Sequence, residues 1–254
     1  MKTRLDKLVF QRGLAPSRER AQSLILAGRV LVNEQTVEKA GASVEDAAEI
    51  RILGDDLPFV SRGGLKLARA LEHWRIDVRG RACMDVGAST GGFTDCLLQK
   101  GAARVIAIDT GYGQMDVKLR SDPRVRLLEK TNARYLTPEQ IWPQGAQREP
   151  ISVVCMDVSF ISATLVLPAV IACARAAGQP EGFELVVLVK PQFEAGREQV
   201  GKGGIVRDLQ AQQAAVARVA AAVEELGGKD IEVIESPILG AEGNREFLLH
   251  ACFD

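Results

Sequence analysis

The sequence predicts an α/β fold in which a doubly wound, largely parallel sheet of seven strands follows a small α+β domain. From residue 65 onward, apolar strand-like runs alternate with helical segments. These runs are nearly continuous in Val, Ile and Leu, a composition typical of strands that helices cover on both faces. The first 60 residues instead combine two short helical segments with short strands. We therefore expect the chain to fold as two domains.

The helices and strands of the N-terminal domain are predicted from its capping and turn residues. A first helix ends at Gly13, and a second begins after Ser17, whose hydroxyl is a good N-cap. Gly28 ends the second helix, because glycine readily adopts the left-handed conformation that often follows a helix. Short strands are expected at residues 30–33 and 48–53.

Pro58 and two consecutive glycines at 63 and 64 indicate a junction. We predict an N-terminal domain over residues 1–60, a linker over 61–64 and a second domain over 65–254. In the second domain, helices are expected at residues 65–74, 91–99, 161–176 and 209–226. Strands are expected at residues 82–86, 104–109, 125–128, 153–156, 185–189, 231–234 and 246–252, the last two forming an antiparallel pair.

The composition is that of a globular protein. Of 254 residues, 46% are hydrophobic and 26% are charged, which is enough for a buried core. Five scattered cysteines and two histidines argue against a disulfide framework, a metal site and a His-based triad. The most apolar stretch, residues 161–174, is too short to cross a bilayer and contains Pro168. With no signal-peptide pattern at its start, the chain is predicted to be cytoplasmic.

Charge is divided unevenly within the N-terminal domain, although the whole chain carries a formal net charge of −1. Residues 1–30 hold seven basic and two acidic side chains, whereas residues 31–62 hold three basic and seven acidic ones. A basic helical region beside an acidic flank is typical of a module that binds a polyanion. Simple solubilisation of a small domain is the alternative explanation.

A glycine-rich turn is the strongest local signal for a ligand. It runs Asp85-Val-Gly-Ala-Ser-Thr-Gly-Gly-Phe93, between an apolar strand and a helix. Glycines at such a turn let the backbone approach a ligand closely. The turn is not a P-loop, because no Gly-Lys-Ser/Thr ends it, and its glycines lack the G-x-G-x-x-G spacing of dinucleotide sites. A tight turn without a ligand is the alternative.

An acidic residue ends the next strand. Asp109 follows the turn by about twenty residues, where a carboxylate typically binds ribose hydroxyls. Both features also suit a nicotinamide nucleotide. Asp85 favours S-adenosylmethionine instead, because this cofactor has no pyrophosphate and carries a sulfonium and an ammonium group that attract a carboxylate.

Two later strands end in charged residues, Asp157 within Met-Asp-Val-Ser-Phe and Lys190 within Val-Leu-Val-Lys-Pro-Gln. Both ends are expected at the edge of the sheet where doubly wound folds bind ligands. A lysine that follows three aliphatic residues is costly unless it reaches the surface or a carboxylate. A structural ion pair is the alternative.

Together these motifs resemble a known enzyme family. The turn and four charged residues resemble the FtsJ-like RNA 2'-O-ribose methyltransferases, which use a Lys-Asp-Lys-Glu tetrad in this chain order. The tetrad positions are Lys66, Asp157, Lys190 and Glu246. Arg4-Leu-Asp-x-x-Leu and the segment from Ser17 to Asn33 resemble the S4 RNA-binding module. Nearly the whole chain resembles the TlyA family, whose members are often named haemolysins.

This resemblance implies a Rossmann-like class I methyltransferase sheet with its last strand antiparallel. It implies S-adenosylmethionine as the cofactor and ribosomal RNA or ribosomal subunits as the partner, with a cytidine of 16S or 23S rRNA as the substrate. Lys190 would take the proton of the ribose hydroxyl or stabilise the forming alkoxide, oriented by Asp157 and Glu246, while Lys66 would hold the substrate. Flanking carboxylates raise a lysine pKa whereas a base needs a low one, so electrostatic positioning is favoured.

Further residues are expected at the two binding surfaces. Those expected at the cofactor are Asp85, Gly87, Ser89, Thr90, Gly91, Gly92, Phe93, Asp109, Asn132 and Asp157. Asn132 suits a turn equally well. Those expected to contact RNA are Arg4, Lys7, Arg18, Arg20, Arg29, Arg62, Lys202 and Arg207. Few aromatic residues accompany them, so recognition of folded RNA shape is expected rather than base stacking.

Three other functions are open from the sequence: a nicotinamide-dependent oxidoreductase, a pore-forming haemolysin, and a binding protein without activity. The glycine spacing counts against the first, the lack of a membrane-spanning stretch against the second and the complete tetrad against the third. No membrane contact and no stable protein partner are expected.

Overall fold

The N-terminal part of the protein folds around an apolar core of its own. The computed structural model describes residues 2–53, 58–145, 148–176, 178, 182–240 and 243–254. The elements of the N-terminal part are β1 (Lys2–Arg4), α1 (Leu5–Gln11), α2 (Arg18–Leu26), β2 (Val30–Val32), β3 (Gln35–Thr36), β4 (Ser43–Glu45) and β5 (Ile50–Ile52). Leu5, Val9, Ile25 and Val30 are fully buried between these helices and strands.

The helix boundaries in this part follow from local sequence. Ser17 caps α2, because its side chain accepts a hydrogen bond from the Arg20 backbone N–H at 3.1 Å. Gly28 follows α2 with φ +68°, and Gly13 follows α1 with φ +70°. Both values lie in the left-handed region that glycine adopts without steric cost. The predicted cap and the two predicted helix ends are confirmed.

Three short strands were not predicted. β1 pairs antiparallel with β4, and β3 pairs with β2 in a sheet of order β3-β2-β5. Strands β1, β3 and β4 are each two or three residues long. That length is too short for the alternating pattern by which a strand is recognised in a sequence.

The rest of the chain forms an α/β unit. Its strands are β6 (Ala82–Val86), β7 (Arg104–Ile108), β8 (Val125–Leu128), β9 (Ile151–Met156), β10 (Phe183–Val189), β11 (Lys229–Glu235) and β12 (Phe247–Phe253). Its helices are α3 (Gly63–His73), α4 (Gly92–Gln99), α5 (Val117–Arg120), α6 (Pro138–Ile141), α7 (Leu167–Ala176), α8 (Pro191–Glu194) and α9 (Leu209–Glu225). The four-residue helices α5, α6 and α8 were not predicted. The division into domains at residues 61–64 stays a prediction.

These seven strands form one sheet, as predicted for the doubly wound fold. The strand order is β11-β12-β10-β9-β6-β7-β8, and β12 runs antiparallel to both of its neighbours. From β6 the chain proceeds outward through β7 and β8, and then returns to the other side of β6 as β9. At such a reversal the connections leave in opposite directions and open a crevice at the carboxyl ends of the strands.

Helices cover both faces of this sheet. Neighbouring residues on a strand, such as Cys83 and Met84, point to opposite faces and belong to separate apolar cores. Both faces of the sheet are therefore buried, which explains why the strands are nearly continuous in aliphatic residues. All five cysteines are free thiols, and Cys83 and Cys155 are fully buried.

Hydrogen bonds and ion pairs between described residues join the N-terminal part to the α/β unit. The backbone N–H of Arg62 donates to the Ala27 carbonyl at 3.3 Å. The Arg62 guanidinium forms an ion pair with Glu38 at 2.8 Å. A second ion pair joins Arg20 to Asp116 at 3.2 Å. These contacts place α2 and the segment after β3 beside the carboxyl ends of the sheet strands.

Candidate active site

Charged residues from three strand ends meet at one edge of the sheet. Asp157 follows β9 and Lys190 follows β10, and these strands are parallel neighbours. Glu246 directly precedes β12, whose first residue Phe247 pairs with Val189 at the end of β10. Because β12 is antiparallel, its start lies at the edge where the parallel strands end.

Lys190 lies between an acid and a hydroxyl. Its Nζ is 2.6 Å from Oδ1 of Asp157 and donates a hydrogen bond to Oγ of Ser159 at 2.7 Å. Both partners belong to the segment that directly follows β9. Pro191 begins α8, so the chain turns immediately after the lysine. The lysine that ends an aliphatic strand therefore has a carboxylate partner, as its cost of burial requires.

A second ion pair lies beside the first. Lys66 on α3 donates to Oε2 of Glu246 at 2.6 Å, and the two side chains are 10% and 2% exposed. Gly240 lies against the same carboxyl group, since a Cβ at this position would be 2.1 Å from Oε1 of Glu246. A side chain at position 240 would thus displace the carboxylate from Lys66.

The two pairs influence each other's ionisation. Burial alone would raise the pKa of Asp157, but the positive charges of Lys190 and Lys66 lower it below its usual value. Burial alone would lower the pKa of Lys66, but the charges of Asp157, Glu246 and Glu38 raise it. Asp157 is therefore ionised and Lys66 is protonated at neutral pH.

Both ion pairs line a cavity of about 510 Å³. Another wall is the glycine-rich turn, which contributes Gly87, Ser89, Thr90, Gly92 and Phe93. The N-terminal part contributes a further wall, which includes Glu38 and Lys39. A cavity of this size accommodates a small organic ligand or a single nucleotide.

The glycine-rich turn is packed so closely that Gly87 and Gly92 both lack room for a side chain. Gly87 has φ +88°, and a Cβ there would lie 2.2 Å from the carbonyl oxygen of Asp157. At Gly92, a Cβ would lie 2.3 Å from Oγ of Ser61. The turn is thereby held against the segment after β9 on one side and against the start of α3 on the other.

Two acidic residues, Asp85 and Asp109, lie next to the glycine-rich turn. Asp85 is fully buried in β6 and accepts a hydrogen bond from Oγ1 of Thr94 at 2.6 Å. Its other oxygen has no hydrogen-bond partner among the described residues. Burial raises the pKa of Asp85 to about 7. Asp109 accepts hydrogen bonds from the backbone N–H groups of Ser89 at 2.8 Å and Gly111 at 2.6 Å.

Some residues predicted at the cofactor are outside the described cavity wall, namely Asp85, Gly91, Asp109 and Asn132. Asn132 instead caps the 3-10 turn at Ala133–Tyr135, where its side chain accepts a hydrogen bond from the Arg134 backbone at 3.1 Å. This is the local turn role that its sequence also suited. The other predicted cofactor residues all line the cavity.

Arg4 and Arg18, both predicted to contact RNA, are held by one buried acid. Each forms an ion pair with Asp6 at 3.0 Å, although about half of each arginine side chain is exposed. Burial would raise the pKa of Asp6, but hydrogen bonds from the two arginines and Gln22 hold it well below its usual range. The sequence did not predict this clamp, which fixes the direction of both guanidinium groups. Lys7 is exposed beside it.

The remaining basic residues predicted to contact RNA are distributed over both parts of the molecule. Arg20 and Arg62 form the two ion pairs between the parts, and Arg29 donates hydrogen bonds to the Leu53 carbonyl. Lys202 and Arg207 are exposed.

Asn244 holds the segment that carries these last two residues. Its side chain accepts a hydrogen bond from the Val206 backbone at 3.1 Å and donates one to the Gly204 carbonyl at 2.9 Å. Asn244 itself is 2% exposed and lines the cavity. The basic segment is therefore fastened at the rim of the cavity.

Sequence patterns missed Glu38, Ser159 and Asn244 as site residues. Ser159 had a detectable signal, because it follows a strand end two positions after Asp157. Glu38 and Asn244 belong to no recognisable motif, and only folding brings them to the cavity.

Both parts of the chain match known protein families. Residues 59–253 match the model of the FtsJ-like methyltransferases, and residues 3–50 match the S4 domain. The chain belongs to the FtsJ-like methyltransferase family. The resemblance predicted from the glycine-rich turn and the tetrad is confirmed, and the sheet is that of a methyltransferase.

Relatives resemble this FtsJ-like methyltransferase over nearly its whole length. It is 46% identical over 249 residues to the 16S/23S rRNA (cytidine-2'-O)-methyltransferase TlyA of Mycobacterium tuberculosis, spanning 98% of this chain and 89% of that protein. It is 40% identical over 248 residues to Hemolysin A of Brachyspira hyodysenteriae, spanning 97% and 98%. A solved structure from Streptococcus thermophilus that carries a hemolysin name superposes with a TM-score of 0.72 at 41% identity, covering 99% of this chain and 88% of that chain.

These relationships do not favour the nicotinamide-dependent oxidoreductase or the pore-forming haemolysin. Hemolysin names occur among relatives of this FtsJ-like methyltransferase that match it over nearly their whole length. Within the described ranges, every helix is too short or too polar to cross a bilayer.

Proposed function

We propose that this chain transfers a methyl group from S-adenosylmethionine to the ribose 2'-hydroxyl of a cytidine in ribosomal RNA. The observation that carries the proposal is one cavity lined by the Lys66–Glu246 pair, the Lys190–Asp157 pair and the glycine-rich turn. The relative from M. tuberculosis, named for this reaction and substrate, supports the assignment. These four charged residues are the catalytic residues in the proposal.

The residues around the glycine-rich turn fit this cofactor, which supplies an electrophilic methyl group on a cationic sulfur. Asp85 has a buried oxygen without a hydrogen-bond partner in the described part of the chain, and a nearby cation would favour its ionised form. Asp157 adds a second carboxylate to the cavity that the turn lines. Asp109, aligned by two backbone N–H groups, would accept hydrogen bonds from ribose hydroxyls. Such an acidic surrounding suits a cation and repels a pyrophosphate.

Lys190 positions the acceptor hydroxyl. Its ammonium is fixed by Asp157 and Ser159, so it can donate a hydrogen bond to the hydroxyl oxygen and align it for in-line attack. The oxygen–carbon bond forms as the sulfur–carbon bond breaks, and the hydroxyl proton passes to water. Lys190 stabilises the negative charge that develops on the oxygen. Lys66, held by Glu246, contacts the ribose or its phosphate.

The N-terminal part supplies an RNA-binding surface in this proposal. Lys7, Arg4 and Arg18 are clustered around α1 and α2, and Lys202 and Arg207 extend basic charge to the cavity rim. Contacts of this kind bind phosphates and position a folded RNA without reading its sequence. The match of residues 3–50 to the S4 domain supports this role. The partner is then a ribosomal subunit in the cytoplasm.

Mapping of 2'-O-methyl groups on ribosomal RNA tests the proposal. We expect at least one cytidine to lose its 2'-O-methyl group in cells that lack the protein. Purified protein should restore it on isolated 30S or 50S subunits, whereas the Lys190→Ala variant should not. Parallel reactions on each subunit and on naked RNA identify the substrate form. An unchanged methylation map, together with no transfer to either subunit, would refute the proposal.

A further inference from the structure

Glu38 belongs to the N-terminal part of the chain but lies at the catalytic cavity. It follows β3 and lines the cavity together with Lys66 and Glu246. Its side chain is 20% exposed and forms an ion pair with Arg62 at 2.8 Å. A partly buried carboxylate is stable only with a cationic partner, and Arg62 supplies that partner here.

Arg62 connects Glu38 to the two elements that carry the second catalytic pair. It directly precedes α3, the helix of Lys66. Its guanidinium also donates to the Leu239 carbonyl at 3.1 Å, in the segment that leads to Glu246. One side chain thus holds the N-terminal part, α3 and the segment before β12 together.

Glu38 contributes a third acid–base pair to the cavity wall. Three carboxylates face three cations in the paired arrangement Glu38–Arg62, Glu246–Lys66 and Asp157–Lys190. The charge of Glu38 also helps to raise the pKa of Lys66. Burial raises the pKa of Glu38, and Glu246 adds to this, while Arg62, Lys66 and Lys190 act in the opposite direction.

We propose that Glu38 is a positioning residue for methyl transfer, so that the N-terminal part completes the catalytic charge cluster in addition to binding RNA. Glu38 acts through Arg62 and through its own charge on Lys66, without touching the acceptor. This inference rests on the proposed function. It implies that catalysis depends on how the N-terminal part docks against the α/β unit.

The Glu38→Gln variant of the full-length protein tests the role of the charge. Glutamine still accepts a hydrogen bond from Arg62, so the contact between the two parts is kept. We expect kcat on ribosomal subunits to fall roughly tenfold, with the KM for RNA and the cofactor affinity within about twofold. The alkaline limb of the pH–rate profile should move to lower pH, since Lys66 loses its proton more readily without this carboxylate.

Glu34→Gln is the matched control, because Glu34 lies in the same part and pairs with Arg51 on the exposed surface. It should leave kcat and the pH profile unchanged. Glu38→Asp keeps the charge and should retain the wild-type pH profile, even if shortening the side chain lowers kcat.

An unchanged kcat in Glu38→Gln would overturn the inference. A lower kcat in Glu38→Gln with an unchanged pH–rate profile would also overturn the inference. A purely structural contact between the two parts would lower kcat in this way without moving the profile. If Glu38→Gln unfolds, the pH–rate profile of Glu38→Asp tests the role of the charge instead. A profile displaced from that of the wild type in Glu38→Asp would contradict this role. A wild-type protein without transfer activity would instead overturn the proposed function, and the inference with it.

Discussion

Lys66 and Glu246 are 180 positions apart in the chain and form a buried ion pair of 2.6 Å. Such a pair adds little net stability, because removing two charges from water offsets most of their attraction. Loss of one partner is nevertheless costly, since the other charge is left buried alone. Replacing both residues with apolar ones therefore separates the effect of this pair on stability from its effect on catalysis.

Glu246→Ala is expected to lower the free energy of unfolding by about 3 kcal/mol, because the buried Lys66 ammonium loses its carboxylate partner. The double variant Lys66→Met with Glu246→Leu should recover most of that loss but should not methylate RNA. Urea unfolding measures the first effect and transfer of labelled methyl groups the second. Wild-type turnover by the double variant would contradict the catalytic assignment of both residues.

Lys190→Ala is expected to reduce methyl transfer at least about a hundredfold, because it removes the donor that aligns the acceptor oxygen. Cofactor affinity, measured by calorimetry, should change only a few fold, since Asp157 and Ser159, which pair with Lys190, lie in the segment after β9. Ser159→Ala keeps the ion pair between Lys190 and Asp157, so this variant should lose far less activity than Lys190→Ala. A Lys190→Ala protein with near-normal turnover would be incompatible with the proposed role.

We expect Asp85 to make both folding and cofactor binding depend on pH. Burial raises its pKa to about 7, whereas an unfolded aspartate has a pKa of about 4. Its contribution to stability is therefore fully present below about pH 4 and is lost as the pH rises through 7. The thermal midpoint of the cofactor-free protein should fall between about pH 5 and pH 7 and level off above that, and the fall should be smaller in Asp85→Asn.

Cofactor affinity should show the opposite trend in the same protein. It should rise through about pH 7 in the wild type, because the ionised carboxylate attracts the cationic ligand, and should be nearly flat in Asp85→Asn. Asp77→Asn is the control, because Asp77 is an exposed acid whose pKa is lowered to about 2 by Arg79, outside this pH window. Identical pH dependences in wild type and Asp85→Asn would exclude the proposed ionisation.

Removal of single exposed lysines should change the salt dependence of RNA binding. Lys7→Gln and Lys202→Gln should each lower the slope of log affinity against log salt by about one if each contacts a phosphate. Arg79→Gln provides a control at the opposite edge of the sheet, before β6. Filter binding to ribosomal RNA over a range of salt concentrations measures the slopes. A slope as steep as that of the wild type would show that the lysine does not touch RNA.

Local sequence determined the sheet, the helix ends beside Gly13 and Gly28, and the strand ends that carry Asp157 and Lys190. These features depend on neighbours within a few residues, so aliphatic runs, caps and glycines are sufficient to locate them. The glycine-rich turn was found for the same reason. The strands β1, β3 and β4 were missed because two or three residues carry no periodic signal.

Only the tertiary structure decided which charges meet. Glu38 pairs with Arg62 because the N-terminal part packs against the α/β unit, and Glu246 reaches Lys66 because β12 runs antiparallel beside β10. The clamp of Asp6 on Arg4 and Arg18 likewise depends on the packing of α1 against α2. Electrostatic contacts depend on distance in space and have no period along the chain, so patterns in the sequence do not reveal them.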